Sequence, residues 1–384
     1  MHTLGDLKIA LVHDELTRRG GAEVVFEELL KIFPTADVYA LYAGRPQITI
    51  NGITRPIHTT FLQKWPAWWR VHPSRLLPFL PYAAEQLDFA KYDVVISSAS
   101  AFAKGIVTRS NVPHICYCHT PTRYLWDATH ELLDRVSWIA KWPTRLLLHY
   151  LRLVDFAAAQ RVDVFWANSR YTQQRIAAYY RRSSSVIYPP IDTAFFTPGI
   201  LSNRIDNDRR PFLMVGRLTP SKYFEQAILV CKKLKLPLTI IGQGPLEHHL
   251  KHIAGPRTQF IPRASREELR TAYRNARAYI QIAREDFGMA TAEALACGTP
   301  VIAFGEGGVE EIVTNGVHGI LYNEQRSEAL AEAIRQFLLK EQLFTPEKLQ
   351  AQASRFNTQR FHEDITGQLT KVLSHWRPLP KPVH

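Results

Sequence analysis

Two glutamates, Glu285 and Glu293, stand eight residues apart in the segment AREDFGMATAEALACGTPVIAFGEGGVEEIV, residues 283–313. Carboxylates accept hydroxyl hydrogens, so two of them at a fixed spacing suit a sugar or a ribose diol. On one continuous helix, eight residues turn about 800° and leave the pair about 80° out of register. A better geometry puts Glu285 in a strand-to-helix loop. Phe287-Gly288-Met289 then form the first turn of a helix ending near Ala296-Cys297-Gly298. The unpaired N–H groups of such a turn, backed by the helix dipole, bind phosphate. Gly288 lets backbone approach the anion closely. Glu293 falls one turn further in, placed for a diol, and Glu285 lies nearer the reacting centre. E-x7-E alone describes two solvated glutamates just as well; the flanking FGM, EALACGTPVIA and GGVEE are what mark it as a site.

Metal chemistry finds less support. Cys116, Cys118 and His119 lie in HICYCH, which reads as a buried strand, and the second cysteine pair of a zinc site is absent. The Asp-x-Asp at Asp206-Asn207-Asp208 sits beside Arg209 and Arg210 in a polar stretch and reads as a solvated turn. No metal or other cofactor is expected. Four cysteines in 384 residues make no disulfide framework and fit a reduced, cytoplasmic setting.

Lys+Arg number 47 against 35 Asp+Glu, a formal +12 that invites an anionic partner. Residues 1–192 hold 22 basic and 16 acidic side chains and 193–384 hold 25 and 19, so each half carries +6. Charge spread this evenly, with no basic stripe, argues against nucleic acid. The N-terminus lacks the pattern of a signal peptide, HDEL at 13–16 is not C-terminal, and no run of 18 apolar residues occurs. Between Val38 and Ala84 there is no acidic residue, while Arg45, Arg55, Lys64, Arg70 and Arg75 alternate with Trp65, Trp68, Trp69, Phe79 and Tyr82. Such a mixture suits peripheral contact with an anionic membrane, and WIAKWPTRLLLHYLRL at 138–153 has the same character. Pro66, Pro73, Pro78 and Pro81 prevent one long amphipathic helix over 56–84, and a proline-broken core segment with solvated arginines is the other reading.

The elements that carry these residues alternate between strand and helix. KIALVH (8–13), DVYAL, YDVVISS (92–98), HICYCH (114–119) and VFWAN (164–168) read as strands, and AEVVFEELLKIF (22–33) is helical by period. A polar, turn-rich stretch at 197–211 separates them from FLMVGRL (212–218), LTIIGQG (238–244), QFIP (259–262), AYIQIA (278–283) and TPVIAF (299–304). The expected fold class is therefore α/β with two Rossmann-like, doubly wound domains facing across an interdomain cleft. The expected N-terminal domain is 1–192, with a C-terminal helix at 360–384 able to pack back on it, and the expected C-terminal domain is 193–359.

Segment 283–313 resembles the signature of family 4 retaining glycosyltransferases of the GT-B fold, and the likeness extends over roughly 8–375. The resemblance implies that domain 1–192 is the acceptor side and that domain 193–359 binds the nucleotide-sugar. MVGRLTPSKYFEQAI (214–228) is similar to the family's G-R-x4-K segment, which implies that Arg217 and Lys222 hold the donor diphosphate. Two fixed cations and a helix N-terminus can neutralise a departing nucleoside diphosphate without a metal. RGGAE (19–23) is similar to the glycine loop that approaches the donor phosphates, so the resemblance carries over Gly21. CHTPTRYLWD (118–127) resembles a segment of bacterial mannosyltransferases that build polysaccharide and O-antigen repeats. It implies that His119 lies beside the donor sugar, with Arg123 and Asp127 on the acceptor side; a salt-bridged loop would explain the last two equally. The sequence departs from the pattern at Tyr223, where glycine often follows the lysine, and at Pro262, where F-x-G would have glycine. Arg263 is offered as a base contact. The family's E-G-F is here Glu285-Asp286-Phe287, a variant that fits the mannosyltransferase-like branch.

The resemblance implies retaining transfer of a hexose, with mannose from GDP-mannose the leading donor, to a hydroxyl of a glycan or polyprenyl-pyrophosphate-linked acceptor; the basic, Trp-rich first domain suits the lipid-linked form. The assigned catalytic residues are His119, Glu285, Lys222 and Arg217. Donor contacts are Gly21, Arg217, Lys222, Arg263, Phe287, Gly288, Met289 and Glu293. The expected location is cytoplasmic, peripheral at the inner face of the membrane. A UDP-sugar-dependent glucosyl- or N-acetylhexosaminyltransferase shares every motif; a phosphorylase of the same shape and a non-catalytic nucleotide-sugar-binding protein are further alternatives.

Overall fold

The computed structural model describes residues 7–70, 75–134, 136–199 and 210–376. Asp206-Asn207-Asp208, Pro73 and the end of the 360–384 segment lie outside the described residues. The chain forms two compact units, Met1–Tyr188 with Phe361–His384, and Pro189–Arg360.

The first unit is built on eight strands: β1 (Ile9–Leu16), β2 (Asp37–Ala43), β3 (Gln47–Ile50), β4 (Ile53–Thr59), β5 (Val94–Ala99), β6 (His114–Cys118), β7 (Val164–Ala167) and β8 (Ser185–Val186). Their order is β3-β4-β2-β1-β5-β6-β7-β8. Every pairing is parallel except the β3/β4 hairpin. A parallel strand covered on both faces must be apolar on both, which is why IALV in β1 is an unbroken hydrophobic run. Ala10 and Val12 join one core layer, with Leu148 and Leu151 of helix Trp138–Gln160. Ile9 and Leu11 join the other, with Val25, Phe26, Leu29 and Leu30 of helix Gly21–Ile32. Helix Thr358–His375 adds Phe361, Ile365 and Leu369 to that second layer. Full burial of each is worth about 1.5–3 kcal/mol, enough to fix the helix there.

The second unit carries six parallel strands: β9 (Phe212–Val215), β10 (Leu238–Ile241), β11 (Thr258–Ile261), β12 (Tyr279–Gln281), β13 (Val301–Phe304) and β14 (Gly319–Tyr322). Their order is β11-β10-β9-β12-β13-β14. The chain leaves β9 in one direction to β10 and β11, then returns to lay β12 on the other side of β9. The strand order therefore reverses between β9 and β12. In the first unit the same reversal falls between β1 and β5. Loops at the carboxyl ends of the strands flanking such a reversal splay apart and leave room for a ligand.

Candidate functional site

In the second unit the loop after β9 carries Arg217 and Lys222, and the loop after β12 carries Glu285. The two strands are neighbours, with Tyr279 opposite Leu213, and Lys222 Nζ donates a hydrogen bond to Glu285 Oε1. Both side chains are half-buried, 32% and 23% exposed. A cation and a carboxylate from residues 63 apart thus meet at the strand-order reversal. Arg217 is exposed and carries no ion pair among the described residues. Its loop is tight: the Thr219 amide donates to Arg217 O at 2.7 Å and the Lys222 amide to Thr219 O at 3.1 Å. Tyr223, where glycine was the family's usual residue, takes the left-handed conformation at φ 55°, which costs an L-residue about 1–2 kcal/mol.

The glycine turn after β10 lies against this loop. Leu218 donates to Gln243 O at 3.0 Å, and Leu246 donates back to Leu218 O at 3.1 Å. A Cβ at Gly242 would stand 1.9 Å from Gly216 O, so no larger residue fits. Arg263 Nε donates to Gln243 Oε1 at 3.0 Å, which puts Arg263 on the same carboxyl edge.

The expected helix is present over Met289–Ala296, and its start differs from expectation. Gly288 has φ 102°, which is not helical, so the first turn runs from Met289 rather than Phe287. Phe287 is 3% exposed and packs edge-on against Phe356, with ring centroids 5.2 Å apart. Its side chain is core; it offers the site only backbone. The Thr291 and Ala292 amides donate to Gly288 O at 3.0 and 3.2 Å, leaving the Met289 end as the helix's amide-bearing tip. Glu293 Oε2 accepts from the Tyr273 hydroxyl at 3.0 Å. Burial first, then the charge of Glu293, pushes the Tyr273 phenol up, so it stays a donor. The loop after β13 closes the set: Glu285 bridges Gly307, and the Gly308 amide donates to Glu285 O at 2.9 Å.

In the first unit, Gly21 is exposed and opens helix Gly21–Ile32, while the Glu23 carboxylate accepts the Gly20 amide at 2.7 Å. His119 directly follows β6 and is 8% exposed. Its Nε2 lies 2.8 Å from Ser98 Oγ, which lies 3.1 Å from His13 Nδ1, and His13 Nε2 is 3.6 Å from Glu23 Oε1. Asn168 Nδ2 holds His119 O at 2.8 Å. Beside them Asp14 accepts the amides of Ser100, Ala101 and Ala103 at 2.6–2.9 Å, tying β1 to the loop after β5. His13, Asp14, Glu23 and Ser98 escaped the sequence reading. For His13 and Asp14 in the carboxyl half of β1, and Ser98 near the end of β5, the signal was a polar side chain after an apolar run; Glu23 sits in the first turn of helix Gly21–Ile32. Arg123 and Asp127 form the salt-bridged loop: Asp127 receives Arg175 at 2.9 Å and lies 3.8 Å from Arg123. Arg175 also donates to Thr120 Oγ1 at 2.5 Å, so Asp127 clamps the His119 loop to helix Arg170–Tyr180. All four cysteines are buried free thiols, and burial pushes Cys231 and Cys297 up to about 12.

Burial lowers His119 to about 3, helped by nearby His13, and burial also lowers His114 to about 3, helped by Arg161. Both stay neutral in the folded chain, whereas the unfolded chain takes up these protons below about pH 6.5. The contribution of these two histidines is therefore level above pH 7, and stability should fall as the pH drops from about 6.5, by up to ~1.4 kcal/mol per pH unit per histidine. Urea unfolding across this range checks the slope. His114→Gln, which keeps a partner for Ser97, should remove about half of it; an unchanged slope would assign the acid loss elsewhere.

The family model Glycosyl transferases group 1 matches residues 201–357, and the model Glycosyltransferase Family 4 matches residues 19–195. The chain is 29% identical over 192 residues to a D-inositol 3-phosphate glycosyltransferase of Mycolicibacterium gilvum (strain PYR-GCK), covering 45% of this chain and 43% of that protein. It is 25% identical over 305 residues to the protein of the same name from Mycolicibacterium smegmatis, covering 67% and 70%. The chain thus spans less than half the length of the first of these two and about two thirds of the second. Among solved structures, Anabaena HepE in complex with UDP and glucose has a TM-score of 0.68 at 19% identity, covering 95% of this chain and 99% of that one. That likeness is one of fold: GT-B, with two Rossmann-like domains.

Proposed function

We propose, from the premise that the chain belongs to the family 4 glycosyltransferases of the GT-B fold, that it transfers a hexose with retention from a nucleoside diphosphate sugar to an acceptor hydroxyl. Mannose from GDP-mannose is the donor and a lipid-linked glycan the acceptor. The observation that carries this reading is the pairing of Lys222 with Glu285 at the β9/β12 reversal, beside the Met289 helix tip. Lys222, Arg217 and the first amides of helix Met289–Ala296 take the diphosphate, Glu285 takes sugar hydroxyls and Glu293 the ribose. The sugar C1–O bond to phosphate breaks as the acceptor oxygen bonds C1 on the same face. The acceptor proton passes to the leaving phosphate oxygen, so no enzymic nucleophile or metal is required. Cationic and amide donors act where charge develops, and each is worth about 3–4 kcal/mol in such a site. His119, with one ring nitrogen engaged by Ser98, is assigned to the sugar as a neutral hydrogen-bonding group.

UDP-glucose is the second donor to be tested, since HepE was captured with UDP and glucose. Thermal melting with GDP-, UDP- and ADP-sugars separates the readings. At one hundred times its Kd a ligand of the native state adds about 2.7 kcal/mol of stability. GDP-mannose should raise the melting temperature by several degrees and release GDP on addition of acceptor. Stabilisation by UDP-sugars alone would replace the donor, and binding without turnover would make the chain a sensor rather than an enzyme.

A further inference from the structure

Helix Trp138–Gln160 is amphipathic with its apolar side outward as well as inward. Leu148, Leu151 and Ala158 face the core. On the opposite side Trp138, Trp142, Leu146, Tyr150 and Leu153 are 81, 67, 54, 54 and 59% exposed. At 100° per residue these five fall within an arc of about 120°, a continuous stripe rather than scattered apolar residues. Exposed stripes of this kind mark a contact surface.

Charge decides what the contact is with. Arg145 flanks the stripe and is exposed, and Lys141, 37% exposed, lies 3.9 Å from the carboxylate of Asp134, which precedes the helix. The helix has one acidic residue, Asp155, which is fully buried. A second copy of the chain packed on this face would set cations against cations. An anionic headgroup layer complements them, and tryptophans and leucines beside Lys and Arg are the side chains that settle in it. Another part of the unit supports the choice. Trp68 and Tyr82 are each 58% exposed, and Arg75 lies over the Trp68 ring at 5.1 Å. Their neighbours Leu62, Leu76 and Leu80 pack into the same core layer as Leu148 and Leu151, so both segments cover one face of the sheet. Among the described residues no helix is long and apolar enough to cross a membrane.

We propose that the outer face of helix Trp138–Gln160 docks the first unit on the surface of an anionic lipid bilayer, with Trp68 and Tyr82 as a second contact. The purpose of this docking, reach to a lipid-linked acceptor, rests on the function proposed above; the docking itself is measured without donor or acceptor. The full chain is sedimented with vesicles of phosphatidylcholine alone and of phosphatidylcholine with phosphatidylglycerol. Binding is expected only to the anionic vesicles and should weaken with salt. The variant Trp138→Ser/Trp142→Ser/Leu146→Ser, altered only at exposed positions, should melt with the wild type and bind at least ~10-fold more weakly. Arg145→Glu should weaken binding with the apolar stripe intact. Absence of wild-type binding at low salt, or equal binding by the triple variant, overturns the proposal. A dimer in sedimentation equilibrium that the triple variant dissolves overturns it too, by making the face a self-association surface. None of these outcomes touches the donor assignment, which nucleotide-dependent melting reads separately.

Discussion

Lys222→Ala should lower turnover about 100-fold or more while leaving the fold in place. The two halves of that expectation come from different magnitudes. Lys222 is bonded to Glu285, and the two side chains are 32% and 23% exposed. Pairs in such surroundings contribute about 0–1 kcal/mol to stability, so the melting temperature should move by no more than a few degrees. Loss of a donor aimed at developing phosphate charge costs about 3–4 kcal/mol of transition-state stabilisation, hence two orders of magnitude or more. Glu285→Ala should lose turnover comparably. Glu285→Gln separates the roles further. It frees the ammonium of Lys222 from its carboxylate, so affinity for the nucleoside diphosphate should rise even as turnover falls. Calorimetric titration with GDP beside initial rates reads both. Unchanged turnover in Lys222→Ala would remove the lysine from the diphosphate, and GDP affinity that drops in Glu285→Gln would make the pair a structural unit.

The parts of the site that the sequence reveals are those whose chemistry is local. Glu285, Gly288 and Glu293 share one strand–loop–helix stretch, so the flanking FGM, EALACGTPVIA and GGVEE place all three within one segment. The mutual contacts were not legible, because Lys222 meets Glu285 across 63 residues and His13 meets Ser98 across 85. Only the strand order creates those neighbours. Phe287 shows the reverse error: beside a glycine it reads as part of the anion-binding turn, yet its ring belongs to the core and the left-handed Gly288 delays the helix. Among the strands, the long apolar runs were readable from burial on both faces. The β3/β4 hairpin was overlooked although its Asn51-Gly52 turn, at φ 50° and 77°, is the strongest short hairpin signal. Both strands are largely exposed and alternate weakly, so the turn was their one clear mark. β8, only two residues long, is too short for periodicity to register; β14 is as long as β9 but opens on Gly319, so only Ile320, Leu321 and Tyr322 mark it as a strand. Of the polar cluster around His119, a single histidine was found. Its partners at the ends of β1 and β5 gain meaning only when the reversal of strand order places them together.

Lys104→Met should destabilise the first unit by about 3–5 kcal/mol, the largest single-site loss expected. Lys104 and Asp155 are 1% and 0% exposed and bond at 2.5 Å. The carboxylate is also held by three neutral donors: Thr122 Oγ1 at 2.9 Å, Trp126 Nε1 at 2.8 Å and Tyr180 OH at 2.9 Å. Lys104 Nζ additionally donates to Ala101 O and lies over the Tyr180 ring. The cluster thus joins the turn after β5, the loop after β6, helix Trp138–Gln160 and the end of helix Arg170–Tyr180. An ion pair alone, replaced by apolar residues on both sides, is often neutral. Here Lys104→Met/Asp155→Leu should remain destabilised, because three buried donors lose their acceptor at about 1–3 kcal/mol each. Lys104→Met/Asp155→Asn should recover part of the loss, since an amide oxygen still accepts and no charge is left unpaired. Urea unfolding of the four chains ranks these losses; a Lys104→Met loss below about 1 kcal/mol would show that water reaches the site. The contrast with Lys222 is the functional point. The folded fraction of Lys104→Met should turn over nearly as the wild type does, because its lysine positions the loops around Asp14 and His119 through bonds that the remaining donors to Asp155 still supply.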